Sequence, residues 1–244
     1  MKKYSLQSNI DYDPVVQIFA AFKESFAITD WEIGYSTVMK SLGNIRNKKL
    51  LDYGCGCGNF SRQIADAGAN VIAVDTSKKM IELLKLCETS NIEVKHIEDE
   101  SINFIESNSI DNITMNFVTT SIPMHERLVK LFKEAYRVLK TRGLLVILNV
   151  NHERSNGREY ISFKLNYVPN LISGQKVSET LKLARNVSFD VESYYWSNDD
   201  YYKALQSAGF RLWTTEEPLA KNNSHPWIDE QKSPPFSIIT TFKK

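Results

Sequence analysis

The sequence predicts an α/β protein built on an open, doubly wound sheet of seven strands with helices on both faces. Three observations predict it. Between residues 47 and 150, short apolar runs alternate with segments of helical periodicity, the pattern of strands joined by crossover helices. The first run, Lys49–Tyr53, opens into Gly54-Cys55-Gly56-Cys57-Gly58, three glycines alternating with small residues. A second run then ends in Asp75, about 20 residues downstream, where an acid at a strand tip can hold ribose hydroxyls.

The elements follow in order. Asp13 as N-cap and Pro14 at the first helical position predict a helix over residues 15–22, and a second helix is expected over 31–42. After the first strand a helix over 59–67 stops near Gly68. A strand over 70–74 leads to Thr76 and Ser77, which cap a helix over 78–87 whose Met80, Leu83, Leu84 and Cys87 fall at helical spacing. Strands over 92–97 and 110–117, a helix over 124–139 and a strand over 144–150 complete the alternation. That last run is almost wholly apolar, as a buried parallel strand should be. Residues 151–196 break the pattern and read as an insertion rich in polar and aromatic residues, including Tyr160, Phe163, Tyr195 and Trp196. An insertion of that length over a strand's carboxyl end reads as functional. A helix over 198–207 stopping at Gly209, and strands over 210–215 and 236–242, close the chain. The division expected is an N-terminal helical cap (1–46), a core (47–150), an inserted substrate-binding or lid segment (151–196) and a C-terminal completion of the sheet (197–244).

The chain has 244 residues, 42% of them hydrophobic, enough for one large domain with an insertion. No apolar run approaches the ~20 residues of a bilayer crossing, and the charged residues 1–5 lead into no signal-peptide core. A net charge of +1 leaves no basic footprint for a nucleic acid; the cluster Arg46, Lys48, Lys49 reads as a solvated loop. Cys55, Cys57 and Cys87 form neither a disulfide framework nor a zinc spacing, so no metal is expected and a reducing cytoplasm is the expected location. Cys55, with no His near it in sequence, reads as a small residue chosen for fit rather than a nucleophile.

Glycine lets a ligand approach the main chain of the loop. The dinucleotide fingerprint G-x-G-x-x-G fails, because Asn59 stands where the third glycine belongs. Read as D-x-G-C-G-x-G, residues 52–58 instead resemble motif I of the class I S-adenosylmethionine (SAM)-dependent methyltransferases. Asp52, Gly54, Cys55, Gly56, Gly58 and Asp75 carry the resemblance. It extends to the helix–turn–strand segment 137–147, where Arg142 replaces the usual Pro and Gly143 keeps the position expected to need a flexible backbone. The resemblance covers residues 45–150 well, 197–242 loosely and 151–196 not at all. It implies a Rossmann-like, mostly parallel sheet with an antiparallel last strand, and SAM as cofactor. The loop would hold the methionine end, Asp75 the ribose and Asp99 the adenine. Thr76, Met80, Asn116 and Phe117 complete the implied cofactor set at the carboxyl edge of the sheet. N-terminal helices often cover the cofactor in such proteins, which makes Tyr4 and Tyr12 candidates to close over it, or equally to pack on the sheet edge.

The implied activity is methyl transfer to an oxygen or nitrogen of a small molecule. An NAD-type oxidoreductase and a non-catalytic SAM-binding module of the same fold stand as alternatives. In-line transfer depends on alignment, and aromatic faces such as Phe117 can stabilise a sulfonium. A hydroxyl acceptor needs a base, for which histidine is suited. His152, just past the fifth strand, and His125, at the start of the helix after the fourth, are the candidates, each with a capping or loop-stabilising role as its rival. His96 reads as structural and His225 as solvated. The aromatic insertion suggests a partly apolar or planar acceptor. Ser233-Pro234-Pro235-Phe236 looks like the motif of DNA-adenine and related amino-methyltransferases. It precedes the last strand instead of following the fourth, however, at a place where Pro is tolerated because it donates to no ladder.

Overall fold

The computed structural model describes residues 2–5, 16–87, 90–184, 187–211, 213–221 and 224–244. From the N-terminus come strand β1 (Lys2–Ser5), helix α1 (Val16–Ser25), and a helix that is π-wound over Asp30–Tyr35 before continuing as α2 (Ser36–Leu42). Tyr12 and the expected helix start at Asp13-Pro14 lie outside the described residues, and only the backbone of Tyr4 is described. Then β2 (Lys49–Tyr53), α3 (Asn59–Asp66), β3 (Asn70–Asp75), α4 (Lys78–Leu86), β4 (Ile92–His96), β5 (Ile110–Asn116), α5 (His125–Val138) and β6 (Leu139–Val150) alternate. A short helix α6 (His152–Ser155) leads to β7 (Phe163–Leu165), β8 (Lys176–Ala184) and β9 (Val187–Tyr194), followed by α7 (Asn198–Ala208), β10 (Trp213–Glu216) and β11 (Phe236–Phe242).

The main sheet has seven strands in the order β10-β11-β6-β5-β2-β3-β4. The five strands from β6 to the edge strand β4 pair in parallel, β11 runs antiparallel to β6, and β10 antiparallel to β11. Residues 71–74 of β3 and 144–148 of β6 are continuous apolar runs because both faces of the sheet are covered there. Leu50, Val71, Ala73 and Val146 face a core shared with Phe22, Val38 and Ile64. Leu51, Ile72, Val74 and Ile147 face another shared with Leu128, Phe132 and Leu205. β2 sits between β3 and β5, so the chain order reverses there and its carboxyl end opens a crevice. Among the described residues no helix is long and apolar enough to cross a membrane.

The 151–196 insertion builds a second sheet in the order β1-β9-β8-β7, with β1 parallel to β9. The β8–β9 hairpin is amphipathic with period two: Val177, Glu179 and Leu181 of β8, and Phe189, Val191 and Ser193 of β9, are buried. This inward face lies against α1, with Phe189 packed edge-on to Phe19 and Phe22 at 6.3 and 6.2 Å.

Two local expectations are corrected. β6 begins at Leu139, five residues before the expected start at 144 (144 less 139), because Leu139 already pairs with Ile110 across a bulge. Within that bulge Arg142, not Gly143, takes the left-handed torsion, at φ +66°, with its N–H bonded to Lys243 O. Gly143 is required for space: a Cβ there would stand 2.8 Å from Asp111 O and 2.9 Å from Lys140 O. The strand expected over 210–215 begins at Trp213, since Phe210 still closes α7, its N–H on Leu205 O and its ring 5.1 Å from Tyr136.

Gly143→Ala should therefore destabilise the fold by ~1–3 kcal/mol, the usual range for overpacking against atoms that cannot move. Arg142→Gly, which relieves a left-handed non-glycine residue, should be neutral or stabilising by up to ~1 kcal/mol. Urea unfolding of both variants checks this; the opposite order of stabilities would return the backbone constraint to position 143.

Candidate functional site

The glycine loop leaves β2 at the crevice and is pinned from the neighbouring strand. Gly54 N–H and Cys55 N–H both donate to Val74 O, at 2.8 and 2.9 Å. One oxygen of Asp75 accepts Gly56 N–H and the other Ser77 N–H, each at 2.8 Å. Burial raises the Asp75 carboxyl above its ordinary range, and these backbone bonds oppose that shift. Each oxygen keeps further lone-pair capacity. At Gly58, φ is +80° and a Cβ would fall 2.2 Å from Leu84 Cδ1, so the loop can close onto α4 only through glycine.

Asp52 is buried beneath the loop. Ser61 Oγ donates to it at 2.6 Å and Thr114 Oγ1 at 3.0 Å, tying β2 to α3 and β5. Burial pushes its carboxyl up to about 6, helped by the charge of Asp75 and opposed by the two hydroxyls. Burial likewise raises the thiols of Cys55 and Cys57, so neither is a ready thiolate.

Above the loop lies an open cleft. Asp52, Gly54, Cys55, Gly56, Asp75, Thr76, Met80, Asn116 and Phe117 all line it, while Gly58 closes the loop behind. Asp99 does not line it. Its exposed carboxylate turns outward to Ser101 N–H at 2.7 Å and Lys130 Nζ at 3.2 Å, and Ile97 faces the cleft instead. Phe117, at the carboxyl tip of β5, holds φ +61°, a torsion rare for a bulky residue and characteristic of functional corners. The cleft suits a nucleoside carrying an amino-acid end. Among the described residues, both amide atoms of Asn116 and Nδ2 of Asn59 are buried without a hydrogen-bond partner, and a Cβ on Gly56 would meet nothing within 4 Å.

A second, smaller cavity adjoins the first, and Phe19, Lys23, Phe117 and Ser121 line both. Its other walls include Phe22, Phe163 and Phe236, with Phe163 stacked on Phe236 at 5.8 Å and Phe236 edge-on to Phe117 at 5.5 Å. Lys23 pairs with Asp30, and its Nζ stands 4.3 Å over the Phe117 ring. Glu179 also faces this space.

The histidines sit elsewhere. His152 is buried behind Glu179, its Nε2 3.7 Å from Glu179 Oε1, and burial lowers its pKa to about 4. It lines a separate small cavity with Tyr195. His125 bonds Asp200 O at 3.1 Å and packs on Trp196, away from both main cavities. His96 bonds Thr76 O at 3.0 Å, and His225 lies 3.6 Å from Glu32.

Sequence reasoning missed Lys23, Asp30, Glu179 and Phe236. Two signals were available. Phe236 starts a strand read as antiparallel, and so had to lie at the carboxyl edge beside the site. Glu179 occupies an inward phase of the pattern Val177, Glu179, Leu181, where an apolar residue would be expected.

Comparison with known proteins agrees with this geometry. Residues 51–147 match the model of a methyltransferase domain. The chain is 29% identical over 218 residues to N-demethylindolmycin N-methyltransferase of Streptomyces griseus, covering 84% of this chain and 91% of that protein. It is 33% identical over 118 residues to demethylmenaquinone methyltransferase of Staphylococcus aureus, a match spanning 48% of that enzyme's length. In fold it resembles a SAM-dependent methyltransferase from Mesorhizobium loti, with a TM-score of 0.63 at 17% identity over 85% of this chain and 96% of that one. A second such structure, from Clostridium acetobutylicum, gives a TM-score of 0.63 at 16% identity over 95% and 98%.

The buried Asp52 makes a pH-dependent prediction. The folded chain keeps the Asp52 proton up to about pH 6, whereas the unfolded chain loses it near ~3.9. Between those values the folded state binds more protons, so the residue subtracts stability as pH rises and the loss is complete above the folded pKa. Relative to wild type, Asp52→Asn should gain up to ~3 kcal/mol on going from pH 4 to pH 7 in urea unfolding. A difference that stays constant with pH would show that Asp52 ionises as easily folded as unfolded.

Proposed function

The chain belongs to the class I SAM-dependent methyltransferases, and from that premise we propose that it methylates an oxygen or nitrogen of a small, partly apolar acceptor held in the phenylalanine-lined cavity. The observation that carries this reading is the shared wall. Phe19, Lys23, Phe117 and Ser121 face both the glycine-loop cleft and the second cavity, so two ligands would meet across Phe117. Two curated relatives, named for their action on N-demethylindolmycin and demethylmenaquinone, support a small-molecule acceptor.

Bound SAM supplies an electrophilic methyl group. The chain's task is to bind, align and exclude water. Asp75, with lone pairs to spare beside the two N–H groups it accepts, would hold the ribose hydroxyls. The unpartnered amide of Asn116 offers both a donor and an acceptor to the methionine end. Thr76, Met80 and Ile97 would flank the base. Phe117 presents an aromatic face at the junction, where cation–π attraction to a sulfonium contributes about 0.5–2 kcal/mol. On this reading residues 47–150 form the cofactor-binding core and residues 151–196 the acceptor side, which supplies Phe163 and Glu179.

Calorimetry with SAM, its demethylated product and NAD tests the assignment. Wild type should bind SAM at micromolar levels and NAD not at all. Asp75→Ala should weaken SAM about a hundredfold, the loss expected for two charge-assisted hydrogen bonds. Phe163→Trp, which fills the second cavity, should raise the acceptor KM while leaving SAM affinity unchanged. NAD binding in place of SAM would promote the oxidoreductase reading, and unimpaired SAM binding in Asp75→Ala would remove Asp75 from the ribose.

A further inference from the structure

Glu179 has no structural reason to be an acid. It stands at the centre of the inward, otherwise largely apolar face of the β8–β9 hairpin, opposite Val191 and only 8% exposed. Its side chain caps no helix among the described residues. Among the described residues its only hydrogen bond comes from Ser193 Oγ, at 3.1 Å to Oε1, which leaves Oε2 open. A buried carboxylate normally has a cation beside it. Among the described residues, the charged or titratable groups facing it are few. Lys23 on α1 is engaged by Asp30 of the π-wound turn. His152 on α6, at 3.7 Å, is beyond hydrogen-bond reach and kept neutral by burial. The remaining walls of the cavity, from β5 to β11, bring phenylalanine, valine, leucine and hydroxyl side chains. Among the described residues the cavity thus holds two acids against one lysine, one cation short of balance, and it is lined with aromatic faces of the kind that attract one.

Resting on the methyl-transfer reading above, we propose that this cavity takes its acceptor as a protonated amine on an apolar body, and that the Glu179 carboxylate binds the ammonium and removes its proton. One ammonium N–H bond breaks as a Glu179 O–H bond forms. The lone pair left on nitrogen then makes the new bond to the methyl carbon while the methyl–sulfur bond breaks and its electron pair stays on sulfur. The proton leaves Glu179 to solvent, and nothing is oxidised or reduced beyond the transfer itself. Burial, opposed by the Ser193 hydrogen bond and by Lys23 and reinforced by Asp30, pushes the Glu179 carboxyl up to about 7. A carboxyl poised there can exchange a proton at neutral pH.

The test is a binding panel of 2-phenylethylamine, tryptamine and hexylamine against the matched alcohols 2-phenylethanol, tryptophol and hexanol. Calorimetry on the full chain, at pH 6 and pH 8, measures wild type, Glu179→Gln and Glu179→Asp. At least one amine should bind about tenfold or more tightly than its alcohol at pH 8, the margin of a charge-assisted hydrogen bond. Its Kd should weaken about tenfold at pH 6, where Glu179 must first release a proton, and heats in buffers of different ionisation enthalpy should show that proton. Glu179→Gln should abolish both the preference and the pH dependence, and Glu179→Asp should restore part of each. Thermal unfolding of each variant confirms folding, and the loss of a buried acid should leave Glu179→Gln at least as stable as wild type above pH 7. The proposal is overturned if no panel member binds, if alcohols bind as well as amines, or if the amine preference survives in Glu179→Gln. SAM affinity, measured on the same samples, should be unchanged by Glu179→Gln. Intact SAM binding with no amine preference would remove the amine proposal alone, whereas absent SAM binding in wild type would remove the methyl-transfer reading itself.

Discussion

The grip of β3 on the glycine loop is the constraint from which the rest of the site follows. Val74 O takes two successive loop N–H groups, and Asp75 takes the next with one oxygen while the other fixes the start of α4. The loop therefore cannot relax independently of the sheet. The left-handed torsions at Gly54 and Gly56 are held by bonds to a neighbouring strand, and that at Gly58 by its N–H bond to Cys55 O within the loop. Asp52 performs the matching task from below, joining β2, α3 and β5 through two hydroxyls. Both carboxylates are raised by burial, a cost in stability that the fold tolerates where it needs rigid polar anchors.

Around that fixed floor the rest of the chain supplies walls of a different character. The antiparallel β11 brings its first residue, Phe236, to the carboxyl edge of the parallel strands, in register with Val150. The Pro234-Pro235 pair just before it buttresses the beginning of the insertion: Pro234 O accepts from Ser155 Oγ and Pro235 O from Asn151 N–H. The β8–β9 hairpin and α1 then close over the opening as one amphipathic layer. Phe117 stands where these parts meet, its strained backbone fixed by an N–H bond to Leu148 O at 2.7 Å. The site is divided into a polar half built by the glycine loop and the strand tips around it and an aromatic half to which α1, Phe117, Phe163 and β11 all contribute.

Charge is distributed unevenly between the halves. In the polar half the acids are satisfied by main-chain N–H groups and hydroxyls. In the aromatic half Asp30 is satisfied by Lys23, and Glu179 by a single hydroxyl. Histidine contributes little to either, because the ring best placed by sequence, His152, lies behind Glu179 and is too poorly solvated to hold a proton near neutral pH.

The sequence by itself determined the alternating fold, the glycine loop and the strand-tip residues beside it that line the cleft. All of these rest on local signals: strand and helix periodicity, glycine spacing and an acid at a strand tip. It could not decide the turn at Arg142-Gly143, where the torsion and the space requirement fall on neighbouring residues and only the approach of Asp111 O separates them. It placed Asp99 by analogy, whereas a local bond to Ser101 and an ion pair with Lys130 turn that side chain outward. Only the tertiary structure decided the second cavity. Lys23, Asp30, Phe117, Glu179 and Phe236 come from five separate elements, and no local rule connects them. They meet because an antiparallel strand, a hairpin and a helix are folded over the same sheet edge, and such long-range packing leaves no periodic trace in the chain.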